Sequence, residues 1–77
     1  MTGDEFFKYN WRAYEVVEYH HERSNTTVQC AVLALDFDCH TMKLVPIANI
    51  GFEEHEFWCA VSQVRKIVRN QKLKITK

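Results

Sequence analysis

Histidine and cysteine carry the most specific chemistry available to this chain, because neutral imidazole and thiolate are the usual ligands of zinc. There are four of one and three of the other. Their spacing builds no site. No Cys-x-x-Cys or His-x-x-x-His pair occurs, and Cys39 and His40 are adjacent, so on a strand they point to opposite sides. A metal centre would have to be assembled by folding, from His20 or His21 with His55 and Cys59. That would make the protein a metal-dependent hydrolase, the most distant of three functional alternatives. The bland expectation is histidines at the surface near turns and buried spectator thiols.

Paired acids offer a second chemistry. Asp36 and Asp38 are two residues apart and share a strand face, close enough for one carboxyl to keep its proton longer than usual. Acid–base catalysis also needs a pocket and a partner group, and a short chain spends most of its interior on its own core. The two aspartates are therefore expected to end a strand and open a hairpin. Glu53, Glu54 and Glu56 are expected to form a solvated acidic face. No Gly-rich phosphate loop, nucleophile elbow or recognisably catalytic serine or cysteine is present. An enzyme is not expected, and neither is a cofactor or a metal.

Charge supplies a third. From Val64 onward the sequence carries Arg65, Lys66, Arg69, Lys72, Lys74 and Lys77 without one acid, whereas all ten acids precede it against only Lys8, Arg12, Arg23 and Lys43. Arg65, Lys66, Arg69, Lys72 and Lys74 are candidate contacts to nucleic-acid phosphates, with exposed Tyr or Trp rings to stack on unpaired bases. Against that, the formal net charge is zero, and nucleic-acid binders usually carry a clear basic excess. A basic face meeting the acidic face of a second copy is equally sound physics.

These residues must be positioned by a single domain spanning 1–77, near the lower end of what folds on one apolar core. At 47% hydrophobic, with ten aromatics, the chain has the surface to bury. It has more aromatics than one small barrel can hold inside, so some are expected to cover a groove or a subunit contact. Thr2 and Glu5 have capping-box spacing and predict a short helix within 2–11. Tyr14, Val16, Val17 and Tyr19 suit a strand over 13–21, and Glu22, Arg23, Ser24 and Asn25 a turn in which Asn tolerates positive φ. Over 27–37 both faces are largely apolar and no charge appears before Asp36, which predicts a long strand covered on both sides, by its neighbours or by a sister molecule. Val28, Cys30, Val32 and Trp58 are the candidate interface residues. Residues 42–47 resume as an antiparallel partner, with Pro46 at an edge or bulge.

The last third is ambiguous. Ile50, Phe57, Ala60, Val61, Val64, Ile67 and Val68 fall on helical spacing, which predicts a helix spanning about 50–70. The aromatic and β-branched content of 57–61 and 64–68, with Ser62 and Gln63 as a tight turn, instead predicts two short strands joined by a 3₁₀ turn. Lys72, Lys74 and Lys77, interleaved with Leu73 and Ile75, then give a final edge strand blunted by lysines. The favoured fold class is mainly β, a small SH3-like or Sm-like antiparallel barrel with a short N-terminal helix. The alternative is α+β, a three-stranded antiparallel sheet with a C-terminal helix.

Leu33, Ala34, Leu35 and Asp36 through Thr41, Met42, Lys43 and Leu44 form a hairpin that resembles that of the Sm-like RNA-binding barrels, where an aspartate and a Met-x-Leu pair flank a similar turn after an opening helix. The resemblance covers about a dozen residues. Cys30 lies near where those barrels place a glycine in their second strand, and the glycine after their Ile-Arg pair is missing, so no RNA-contacting residue is carried over.

The expectation is thus a non-enzymatic binding or assembly module acting as a homo-oligomer, with nucleic-acid binding through the basic segment as the alternative. The first residues lack a basic stretch followed by an apolar run, and no apolar span approaches 20 residues, so a cytoplasmic protein without membrane contact is expected. An odd number of cysteines without paired spacing fits the same compartment.

Overall fold

Thr2 and Glu5 begin the fold with a reciprocal cap. The Thr2 hydroxyl accepts from the Glu5 amide at 3.2 Å, and the Glu5 carboxylate accepts from the Thr2 amide at 2.9 Å. The helix they start, α1 (Gly3–Lys8), is far too short to persist on its own. It is held by Phe6, fully buried against the sheet. Trp11 locks its end by donating its indole N–H to the Phe6 carbonyl at 3.0 Å.

The structure, a computed structural model, describes residues 1–68. After α1 come β1 (Val16–His21), β2 (Thr26–Asp36), β3 (Thr41–Pro46), β4 (Phe57–Ala60) and β5 (Val64–Val68). They form one antiparallel sheet in the order β4-β3-β2-β1-β5. The protein is mainly β, with a short N-terminal helix. The sheet is not closed: among the described residues β4 and β5 are its two edges. The expected lysine-rich strand at 72–77 lies outside the described residues.

Turn chemistry sets the hairpins. Between β1 and β2, Asn25 takes φ 54°, and Ser24 ties the turn by contacts to His21 Nδ1 at 2.9 Å and Thr26 Oγ1 at 2.7 Å. Between β2 and β3, Asp36 Oδ1 accepts from the amides of Asp38 and Cys39 at 3.0 and 3.1 Å, and His40 takes φ 56°. Pro46 ends β3 beyond Leu44, the last residue that pairs with β4.

Two bulges decide which side chains reach the core. In the β2–β3 ladder Val32 pairs with Leu44 and Ala34 with Lys43, so Leu33 is an extra residue. Simple alternation puts Leu35 on the face opposite Val32; the bulge restores it to the core side, where it packs beside Met42. In the β1–β5 ladder Glu18 pairs with Lys66 and Tyr19 with Val64, leaving Arg65 as the extra residue.

The second bulge also resolves the ambiguous third. Residues 50–68 hold β4, a 3₁₀ turn at Val61–Gln63 and β5 rather than the alternative helix over 50–70. Val61, Val64 and Ile67 all reach the core side three residues apart, first through the three-residue period of the 3₁₀ turn and then through the Arg65 bulge. That spacing imitates a helix. Gln63 closes the turn by accepting from the Ala60 amide at 3.2 Å.

The main core gathers Phe6, Val17, Val32, Met42, Leu44 and Val64 with the two buried cysteines. Val16, Ala31 and Val45 form a buried row across β1, β2 and β3 on the other face. Cys30, Ala31 and Val32 are therefore covered within one chain, whereas residues 26–29 at the start of β2 are exposed, so the neighbouring elements supply only part of the expected cover. Those residues pair with the outer end of β1 and remain exposed among the described residues.

Candidate functional site

The four expected interface residues divide. Cys30 and Val32 belong to the interior of a single chain and have no surface to offer, because β2 is central and both are buried in one core cluster with Phe6, Met42, Leu44 and Cys59. Val28 and Trp58 remain, at 40% and 52% exposure. They lie on opposite faces of the sheet, since Val28 is in phase with Cys30 while Trp58 is out of phase with buried Cys59. Val28 borders a groove of about 330 Å³ whose walls include Tyr19, Phe57 and Pro46. Tyr19 and Phe57 meet edge to face there at 4.9 Å.

The metal-type side chains are engaged separately. His20 Nδ1 lies 3.3 Å from Thr27 Oγ1 and 3.3 Å from Arg65 Nη1, His21 belongs to the β1–β2 turn, and His55 meets the Phe52 ring at 6.3 Å. No group of three or more metal-ligating side chains forms among the described residues. Asp36 is occupied in its turn, and Glu56 makes an ion pair with Lys43 at 3.1 Å.

Burial governs the thiols. It pushes both Cys30 and Cys59 up to about 11, which suppresses the reactive thiolate. Cys39 is exposed, and the carboxylate of Asp36 beside it raises its pKa as well. Titration with an aromatic disulfide reagent at neutral pH should therefore modify one thiol quickly and the other two only after denaturation. Equal rates for all three would contradict the placement of Cys30 and Cys59 in the core.

No family model, curated protein or solved structure matches the chain. The site is thus read from this molecule's own surface.

Of the expected phosphate contacts, Arg65 and Lys66 are on β5, whereas Arg69, Lys72 and Lys74 lie outside the described residues. Arg65 and Lys66 meet Lys8 and Tyr9 of the α1 end around a cleft of about 470 Å³, with Glu5 on its wall. Lys8 was invisible as a member of this group, because it stands fifty-seven positions before Arg65 in the sequence. A stack of exposed rings was equally hidden: Phe7 and Phe37, 5.6 Å apart at 25°, with His40 edge-on to Phe7 at 5.2 Å. No helix among the described residues is long and apolar enough to cross a membrane.

Proposed function

We propose that the protein is a small, non-enzymatic binding or assembly module that works as a homo-oligomer. The observation that carries this is β4 at an edge of the sheet formed by the described residues. Its four residues, Phe57, Trp58, Cys59 and Ala60, include no charge, no proline and no bulge, the devices that normally protect an edge from pairing. Trp58 adds a large apolar side chain that is 52% exposed. The other edge, β5, differs in sequence and carries the Arg65 bulge. Two unlike edges favour a head-to-tail contact, in which β4 of one copy continues the sheet at β5 of the next. Such contacts close into a ring or run on as a filament, and they would complete between copies the barrel-like SH3-like or Sm-like arrangement that one open sheet leaves unfinished.

Size-exclusion chromatography with light scattering tests it. An oligomer at micromolar concentration is expected, and Trp58→Lys should shift it to the monomer while leaving the far-ultraviolet circular dichroism unchanged. A wild-type protein that stays monomeric at all attainable concentrations, or an oligomer untouched by Trp58→Lys, would refute the proposal.

A further inference from the structure

The cleft between the end of α1 and β5 has a charge pattern that assembly through β4 does not explain. Lys8 stands at the end of α1 and Arg65 and Lys66 on β5, so three cationic side chains from opposite ends of the sequence border one space of about 470 Å³. That is within the usual size of a small-ligand site. The single acid on its wall, Glu5, is committed to the Thr2 amide at 2.9 Å as half of the capping box. Glu18 is the cross-strand partner of Lys66, yet the pair forms no ion pair within 4.0 Å, and Lys8 has no ion-pair partner among the described residues either. Arg65 donates from Nη1 to His20 Nδ1 at 3.3 Å, which leaves its other donors available. Tyr9 presents a ring fixed in place, with its hydroxyl donating to Glu15 at 2.6 Å and its ring meeting that of Trp11 in a T-shaped contact at 4.7 Å. The sequence from 69 to 77 adds Arg69, Lys72, Lys74 and Lys77 and no acidic side chain.

Unpaired cations that converge on one concavity raise the local concentration of anions there. Guanidinium and ammonium donors converging in this way suit the tetrahedral oxygens of phosphate, which accept several charge-assisted hydrogen bonds at once. We infer that the α1–β5 cleft is a phosphate-binding site, with Lys8, Arg65 and Lys66 as its donors and the Tyr9 ring as a wall against which the remainder of the ligand rests. The phosphate belongs either to a small free polyphosphate or to the backbone of a nucleic acid. The site does not depend on self-association.

The test is a titration of ¹⁵N-labelled protein with inorganic tripolyphosphate in one arm and a short single-stranded oligonucleotide in the other. The amide signals of Lys8, Tyr9, Arg65 and Lys66 are expected to shift and saturate, and the apparent affinity to fall linearly with the logarithm of salt concentration. The double variant Lys8→Ala, Lys66→Ala should weaken binding by about tenfold or more, equivalent to a charge-assisted bond or two. Lys8→Arg should preserve it, and Arg23→Ala, in the exposed β1–β2 turn, should leave it unchanged. Saturation by tripolyphosphate identifies a free phosphate ligand; saturation by the oligonucleotide alone identifies a phosphodiester backbone. Absence of shifts at these four amides with both probes, or equal weakening by Arg23→Ala, would overturn the site.

Discussion

Phe6→Ala should destabilise the domain by about 3 to 5 kcal/mol, the usual cost of emptying a fully buried phenylalanine position. A domain of this length holds only about 4 to 11 kcal/mol in total, so the variant should lose between about a quarter and the whole of its stability. Phe6 is the largest side chain with no solvent exposure and the point at which a two-turn helix is fastened to the sheet. Its ring lies 4.8 Å from Phe37 and 6.1 Å from Trp11, so its loss also loosens the β2–β3 turn and the chain entering β1. The neighbouring substitution Phe7→Ala should cost far less, because that ring is 53% exposed. Urea unfolding followed by circular dichroism measures both. Similar midpoints for the two variants would show that α1 does not pack as described.

Stability should also collapse in alkali, over the interval from about pH 9 to about pH 11. Burial raises the thiols of Cys30 and Cys59 from 9.0 to about 11 in the folded chain. Between those values the unfolded state has released its thiol protons and the folded state still holds them, so each rise in pH favours unfolding. The stabilisation is complete below pH 9 and gone once pH passes through about 11. Tyr19, raised above 10.0 mainly by desolvation, adds a contribution of the same sign at the upper end. Replacing both cysteines by alanine should lower the plateau near neutrality, through lost packing, while flattening the alkaline decline. A wild-type profile that stays level to pH 11 would place these thiols in water, contrary to their burial.

Local features of this architecture were legible because local chemistry dictates them. Thr2 and Glu5 announce the helix start, Asn25 and Asp36 the two turns, and the uncharged run before Asp36 the central strand. What stayed hidden depends on partners distant in sequence. No property of Leu33 or Arg65 marks it as a bulge; each becomes one only because the opposing strand skips a residue there. A single such insertion reverses which face every later residue meets, which is why alternation alone puts Leu35 on the wrong face and why 61–67 imitates a helix. The interface residues fared unevenly for a related reason. Alternation placed Val28, Cys30 and Val32 on one face, but only α1 and β4 decide where along that face the cover ends. The basic cleft was half visible, as the β5 cations could be read from composition while Lys8 joins them only through the packing of α1.

Amide hydrogen exchange, resolved by residue and repeated across a wide range of protein concentration, bears most directly on a sheet that is open in one chain and extended by the next. In dilute solution the outward amides of β4 and β5 should exchange quickly while those of β2 are protected, and protection should spread to both edges as concentration rises. Edges protected equally at every dilution would mean that the strands pair within a single chain, and edges unprotected at the highest concentration would mean that copies do not join there.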